Sequence, residues 1–258
     1  MYDGADLEWL GLARVEPGRW HFALTNPLSR FDGKFYGGTG LAAVAAAMEA
    51  ETGRHAVWAT VQFVSTTDVG EVIDCDVEVL AEGRRTSQVR VTGKVRDGIL
   101  FSALGATGDL RRDPLQAQFG SMPAVPPPDQ CATWRPRAPN LQIADRAGWL
   151  ACVEVRHAGD RGALWARMLD RPLTRAALAF VADVVPSGVV RAAGRTGAGT
   201  SLDNSIRFGA DPAGDWVLID VDPHFIAGGY VHGAARLWSI DGTLLAVASQ
   251  TASLLLFD

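Results

Sequence analysis

The sequence predicts an α+β fold in which one plan, a helix set against an antiparallel sheet, is used twice. Three observations carry this reading. An Asp-Gly turn feeds a long apolar strand at Asp97-Gly98 and again at Asp241-Gly242, 144 residues further on. Ala56–Phe63 can be laid on Ser201–Phe208 at a shift of 145. A strand, a helix and a meander follow one another in the same order in both halves. Two weak similarities at nearly one offset indicate a duplicated unit.

The elements follow in order. Arg19-Trp20-His21-Phe22-Ala23-Leu24 opens a strand that ends by Asn26-Pro27. Gly37-Gly38 then begins a helix from Thr39 to about Thr52, stopped by Gly53; its alanines favour helix and let a sheet approach closely. Strands are expected at Ala56–Val64, Val72–Leu80, Thr86–Val95 and Ile99–Thr107, with turns at Glu82-Gly83-Arg84 and Asp97-Gly98. From about 109 to 145, Pro114, Pro123, Pro126, Pro127, Pro128, Pro136 and Pro139 mark a surface linker. In the second half, strands are expected at Trp149–His157 and Gly162–Met168. A helix from Leu173 to Val185 is halted by Pro186 and Gly188, and Arg191–Thr200 reads as a mobile loop. Strands at Ser201–Phe208, Trp216–Val221, Tyr230–Trp238 and Thr243–Leu256 complete the chain.

Composition narrows the function classes. With 258 residues, 48% hydrophobic and 21% charged, the chain can bury a substantial core and is not a disordered protein. Its net charge of −5 argues against broad nucleic-acid binding, although an anionic ligand can still meet a local basic patch. No apolar run is long enough for a membrane span, and the opening residues lack a secretory pattern. Cys75, Cys131 and Cys152 have no paired spacing, so reduced thiols in the cytoplasm are expected. The five histidines form no metal motif, and neither a phosphate loop nor a nucleophile elbow is present.

Two polar residues stand out against apolar surroundings, and a third stands at the mouth of a strand. Asp183 follows Ala176–Ala182 in a helix apolar enough to be buried, where desolvation would raise a carboxylate toward the range of a general base. The alternative is an aspartate looking into solvent near a helix end. Gln250 lies within a strand apolar on both faces; its amide could hold a water or polarise a carbonyl, or simply bond to neighbouring backbone. Ser201 brings a hydroxyl to a strand mouth, where turn and cap roles are also common.

Several segments resemble one family in the right order. Tyr36-Gly37-Gly38 ahead of an alanine helix resembles the glycine pair that opens the central helix of hotdog folds. Val77–Ser87, with Arg84 in its turn, resembles the strand–turn–strand around the arginine of TesB-like acyl-CoA thioesterases. Ala179–Asp183, Thr200–Ser205 and Asp241–Ala246 with Ser249-Gln250-Thr251 resemble that family's three second-half signatures.

The resemblance implies a double hotdog with a scaffold unit at 1–115, a proline-rich linker at 116–145 and a site-bearing unit at 146–258. It implies hydrolysis of acyl-CoA by water, with Asp183, Ser201 and Gln250 as the catalytic set and no cofactor. Ala45, Ala56 and Ala106 are expected opposite those three, giving one site per chain. Asp183 would take a proton from a water held by Ser201 and Gln250, without an acyl-enzyme. A backbone amide near Gly38 would polarise the thioester carbonyl. Arg84, Arg85, Arg191 and Arg195 are candidates for the coenzyme A phosphates. A homodimer or larger assembly is expected from pairing of sheet edges.

Ser201 stands where the family commonly has threonine, Asn204 where a histidine is usual, and Thr251 where a glutamate is frequent. One alternative is a protein that binds acyl thioesters without hydrolysing them. Another is an acyl-thioester dehydratase, which would want an Asp–His pair in one helical segment; no histidine lies near Asp183 in the sequence.

Overall fold

The computed structural model describes residues 4–111, 115–135, 147–159 and 162–257. Its frame is a twelve-stranded antiparallel sheet. The first half supplies β1 (Ala13–Glu16), β2 (Arg19–Ala23), β3 (His55–Phe63), β4 (Val72–Glu82), β5 (Thr86–Val95) and β6 (Gly98–Gly108). The second supplies β7 (Val153–His157), β8 (Leu164–Met168), β9 (Gly197–Phe208), β10 (Val217–Ala227), β11 (Tyr230–Ser239) and β12 (Leu244–Leu256). The helices are α1 (Ala5–Leu10), α2 (Gly37–Thr52), α3 (Arg175–Val181) and α4 (Val185–Ala192); α2 and α4 lie against the sheet, and α1 and α3 pack on α2.

The strand order is β1-β2-β4-β5-β6-β3-β9-β12-β11-β10-β8-β7, so the halves are mirrored about the β3–β9 junction. There Thr60 pairs with Ser205, 145 residues later, and their hydroxyl oxygens lie 2.9 Å apart. The irregularities repeat as well. The ladder skips Val57 between Ala56 and Trp58, and it skips Leu202 between Ser201 and Asp203.

This register keeps Ser201 opposite Ala56 but moves Gln250. Ala56 pairs with Thr107 and Ser201 with Ala252, which sets Gln250 against Gly105 and not against Ala106. The Asp-Gly turns are one step out of phase with their strands. Val95 pairs directly with Gly98, whereas Ser239 closes on Thr243 through a longer loop.

Helix α2 is buried nearly all round, as its small apolar residues allow. Gly40 sits against the rings of Phe35 and Phe63, and Gly53 ends the helix in the left-handed region. In the second half the single helix expected from Leu173 to Val185 is instead two short ones, broken at 182–184. Pro186 causes this. It lacks the N–H that would bond the carbonyl of Ala182, so it sits in the first turn of α4 and does not halt a helix. Asp183 therefore stands in a turn before α4, while Ala45 lies inside α2, so the two are not counterparts.

Two further readings are corrected. Arg191–Thr200 is shared between the end of α4 and the start of β9, and is not one loop. The linker is not a mere surface crossing over its described residues 115–135. Met122, Val125 and Cys131 pack on Trp165, Leu218 and Trp238, and Pro126 accepts from Trp165 Nε1 at 2.9 Å. Pro114, Pro136 and Pro139 lie outside the described residues. Among the described residues no helix is long and apolar enough to cross a membrane, and the three cysteines are free thiols.

Candidate active site

Asp183 projects from the α3–α4 turn onto the N-terminus of α2, in the other half of the chain. That helix opens without a side-chain cap of its own. The Gly38 N–H donates to Asp183 Oδ2 at 2.7 Å, so the carboxylate satisfies one of the free amides there and meets the positive end of the helix. The contact depends on the glycine pair. A Cβ at Gly37 would lie 2.8 Å from Asp183 Oδ2, and one at Gly38 would lie 2.3 Å from the Phe180 carbonyl. Tyr36 holds the same turn through its buried hydroxyl, which reaches the Phe180 carbonyl at 3.1 Å and that of Asp183 at 3.4 Å.

The other carboxylate oxygen faces the sheet. Gln250 on β12 and Asn204 on β9 are paired neighbours, so their side chains rise side by side from the inner face. Both are fully enclosed, at 1% and 0% exposure. Gln250 Nε2 donates to Asp183 Oδ1 and also to Ser201 Oγ at 2.8 Å. Asn204 Nδ2 donates to Asp183 Oδ1 at 3.1 Å. The carbonyl oxygens of both amides have no partner among the described residues, which leaves two buried acceptors beside the carboxylate. Burial pushes the Asp183 carboxyl up from 3.8 to about 7; the bonds from Gln250, Gly38 and Asn204 and the charge of Arg30 oppose this only in part.

A carboxylate that titrates near neutrality, next to a hydroxyl and two amides, can take a proton from a bound water and orient it. The three residues singled out in the sequence, Asp183, Ser201 and Gln250, thus meet at one place. Gly38 meets them too, but its amide is engaged by Asp183 and does not face an open carbonyl position.

The arginines are elsewhere. Arg84 and Arg85 occupy the β4–β5 turn beside Arg54, past the C-terminal end of α2. Asp183 is at the other end of this helix, about 24 Å away along a 16-residue axis. Arg191 donates to the Gly162 carbonyl at 2.7 Å and lines an open cleft of about 380 Å³ with Gln130, Cys131 and His157, a cleft that none of Asp183, Ser201 and Gln250 lines.

Sequence reasoning missed Tyr36 as the support of the turn, Asn204 as a direct partner of Asp183, and Arg30 as the cation acting on it. Asn204 was findable, because it is a polar residue in the inward phase of a strand.

A family described as acyl-CoA thioesterase N-terminal domain matches residues 25–108, and one described as acyl-CoA thioesterase C-terminal domain matches residues 119–254. A candidate thioesterase from Novosphingobium aromaticivorans is 34% identical over 95% of this chain and 98% of its own, with a TM-score of 0.83. A protein of unknown function with a hotdog fold from Alicyclobacillus acidocaldarius is 22% identical over 97% of each chain, with a TM-score of 0.82. An acyl-CoA thioesterase II from Mycobacterium marinum is 19% identical over 98% of each chain, with a TM-score of 0.72. No match was found among curated proteins.

Proposed function

The chain belongs to the acyl-CoA thioesterase family, and on that premise we propose that it hydrolyses acyl-CoA thioesters to the free acid and coenzyme A at Asp183. In this reading it is a double hotdog with units at 1–115 and 146–258, the second carrying the site, and it acts in the cytoplasm. The observation that carries the proposal is the convergence of Gly38, Asn204 and Gln250 on one buried carboxylate, with Gln250 also bonding the Ser201 hydroxyl beside it.

Asp183, ionised above about pH 7, takes a proton from a water that attacks the thioester carbonyl. Ser201 and Gln250 hold that water. The amides of Gln250 and Asn204 also keep the carboxylate in place. The carbon–sulfur bond breaks as the tetrahedral intermediate collapses, and the proton that Asp183 took passes to the sulfur, so coenzyme A leaves as the thiol and the base is restored. In this reading the water attacks the carbonyl directly and no acyl-enzyme forms. In place of polarising the carbonyl, the Gly38 amide fixes the base.

Arg84 and Arg191 stay in this reading as proposed contacts for the coenzyme A phosphates, although Arg84 stands past the far end of α2 and Arg191 lines a separate cleft. For assembly as a homodimer or larger, the edge of β7 is already met by linker residues, through Trp134 N to Val155 O at 2.8 Å and His157 N to Ala132 O at 2.9 Å. The edge of β1 is short and carries Arg14 and Glu16, so edge-to-edge pairing is disfavoured there too.

The test is thiol release from acyl-CoA esters of short to long chains, comparing wild type with Asp183→Ala and Gln250→Ala. Wild-type turnover that falls in both variants is expected. Binding without turnover in the wild type would mean a carrier, and full turnover in Asp183→Ala would remove the aspartate from the mechanism.

A further inference from the structure

The geometry points to a divalent transition-metal site, for an ion such as Cu²⁺ or Ni²⁺, formed by the Nδ1 atoms of His224 and His232 on the β10–β11 hairpin. Those two nitrogens lie 3.0 Å apart. With imidazole–metal bonds of about 2.05 Å, that separation subtends about 95° at a shared ion. This is close to the angle of adjacent ligands in square-planar or octahedral coordination and narrower than a tetrahedral one, which favours Cu²⁺ or Ni²⁺ over Zn²⁺.

The fold builds the arrangement deliberately. The ladder runs from Pro223 opposite Gly233 to Phe225 opposite His232, skipping His224. Proline cannot donate to the ladder, and a bulge at this point re-aims the extra side chain. His224 is turned toward His232, its ring centroid 4.9 Å away. The Phe225 ring stacks on His232 at 5.5 Å and 20°, fixing that ring's plane. On its far side, His224 Nε2 is 3.6 Å from Asp222 Oδ2, so a carboxylate faces the ring nitrogen opposite the one that would ligate. A carboxylate behind a ligating histidine is the outer-shell partner such ligands ordinarily have.

If both Nδ1 atoms are acceptors, they repel at this distance unless a proton or a cation lies between them. His224 is exposed and His232 half-buried, so a hydrated ion can reach them. Among the described residues no group of three or more His, Cys, Asp or Glu donors converges, so water would fill the remaining positions. The sequence hides the site, because the two histidines are eight residues apart and face each other only across the hairpin.

The experiment titrates Cu²⁺, Ni²⁺ and Zn²⁺ separately into the untagged full-length protein by calorimetry, with electron paramagnetic resonance on the Cu²⁺ form. One ion per chain is expected, with Cu²⁺ bound most tightly and showing two nitrogen donors. His224→Gln and His232→Gln should each weaken it more than about 100-fold, and Asp222→Asn about 10-fold, the range for losing an outer-shell partner. All three side chains are outside the catalytic cluster, so the variants should fold and release thiol at the wild-type rate. No saturable binding of any of the three ions, or binding that survives in the double histidine variant, would overturn the proposal.

Discussion

The two halves of the sheet share their strand order and their bulges, and differ in what fills the space between helix and sheet. In the second half, Gln250 and Ser201 point into that space. In the first, their counterparts are Gly105 and Ala56, and Met48 takes up the room: a Cβ on Gly105 would lie 2.4 Å from the Met48 methyl. Both halves nevertheless bury a carboxylate. Burial raises Glu49 on α2 from 4.5 to about 7, as it raises Asp183 from 3.8 to about 7. Glu49 accepts from the Ala56 N–H at 2.7 Å, with His55 at 4.0 Å. Asp183 accepts from two side-chain amides, one of which also bonds the Ser201 hydroxyl. A raised ionisation is therefore common to both halves, and the polar groups gathered around it are not. In the proposed chemistry, the second property makes the site.

The sharpest way to break this comparison is to remove the second-half charge. Asp183→Asn keeps the shape but loses the base, and its amide would turn a donor toward Gly38 N–H or toward Gln250. Thiol release should fall about 100- to 10 000-fold, the usual contribution of general-base catalysis. In the wild type, kcat/KM should rise tenfold per pH unit below about 7 and level off above, because the ionised carboxylate is the active form.

Gln250→Leu should have the next largest effect. It removes a hydrogen bond to a charged group, about 1.5–3 kcal/mol, so a loss of about 10- to 100-fold is expected. The Gln250 bond is also the largest influence lowering the Asp183 pKa, so the midpoint of the pH profile should move upward. A midpoint that stays put would separate Gln250 from the base. Ser201→Ala removes one neutral hydrogen bond of about 0.5–1.5 kcal/mol and should cost about 2- to 10-fold, measured as kcat/KM at pH 8.

These side chains were readable in advance because each broke a pattern. A carboxylate and an amide stood where apolar residues were expected, the Ser201 hydroxyl was singled out by the repeat and the family resemblance, and strand ends followed the turns closely: β5 spans Thr86–Val95, as its flanking turns imply. The failures have physical causes. Pro186 acts on the carbonyl four residues earlier, so the helix breaks at Asp183 and not at the proline. The Asp-Gly turns repeat at 144 while the strands repeat at 145, so aligning the turns shifted Gln250 by one position. α1 and β1 are too short for periodicity to register. The capping of α2 by Asp183 joins residues 145 apart, which no local pattern encodes.

The smallest expected effect is also the one that separates the halves. Glu49→Gln should leave thiol release, and its midpoint near pH 7, unchanged. Its consequence belongs to stability. Native Glu49 keeps its proton up to about pH 7, whereas in the unfolded chain it is lost near 4.5. Between those values the native state binds more protons, so the wild type loses stability as pH rises through that window. Asp6 and Asp211 strengthen the effect and Arg175 opposes it. A glutamine can still accept from Ala56 N–H and carries no charge to desolvate, so it escapes the loss. The Tm of Glu49→Gln minus that of wild type should therefore climb from pH 4.5 to 7 and then level, while Asp183 contributes equally to both proteins and cancels. If the substitution instead moved the midpoint of thiol release, the ionisation seen in the rate would belong to the first half, and the filled cavity beside Met48 could no longer be called scaffold.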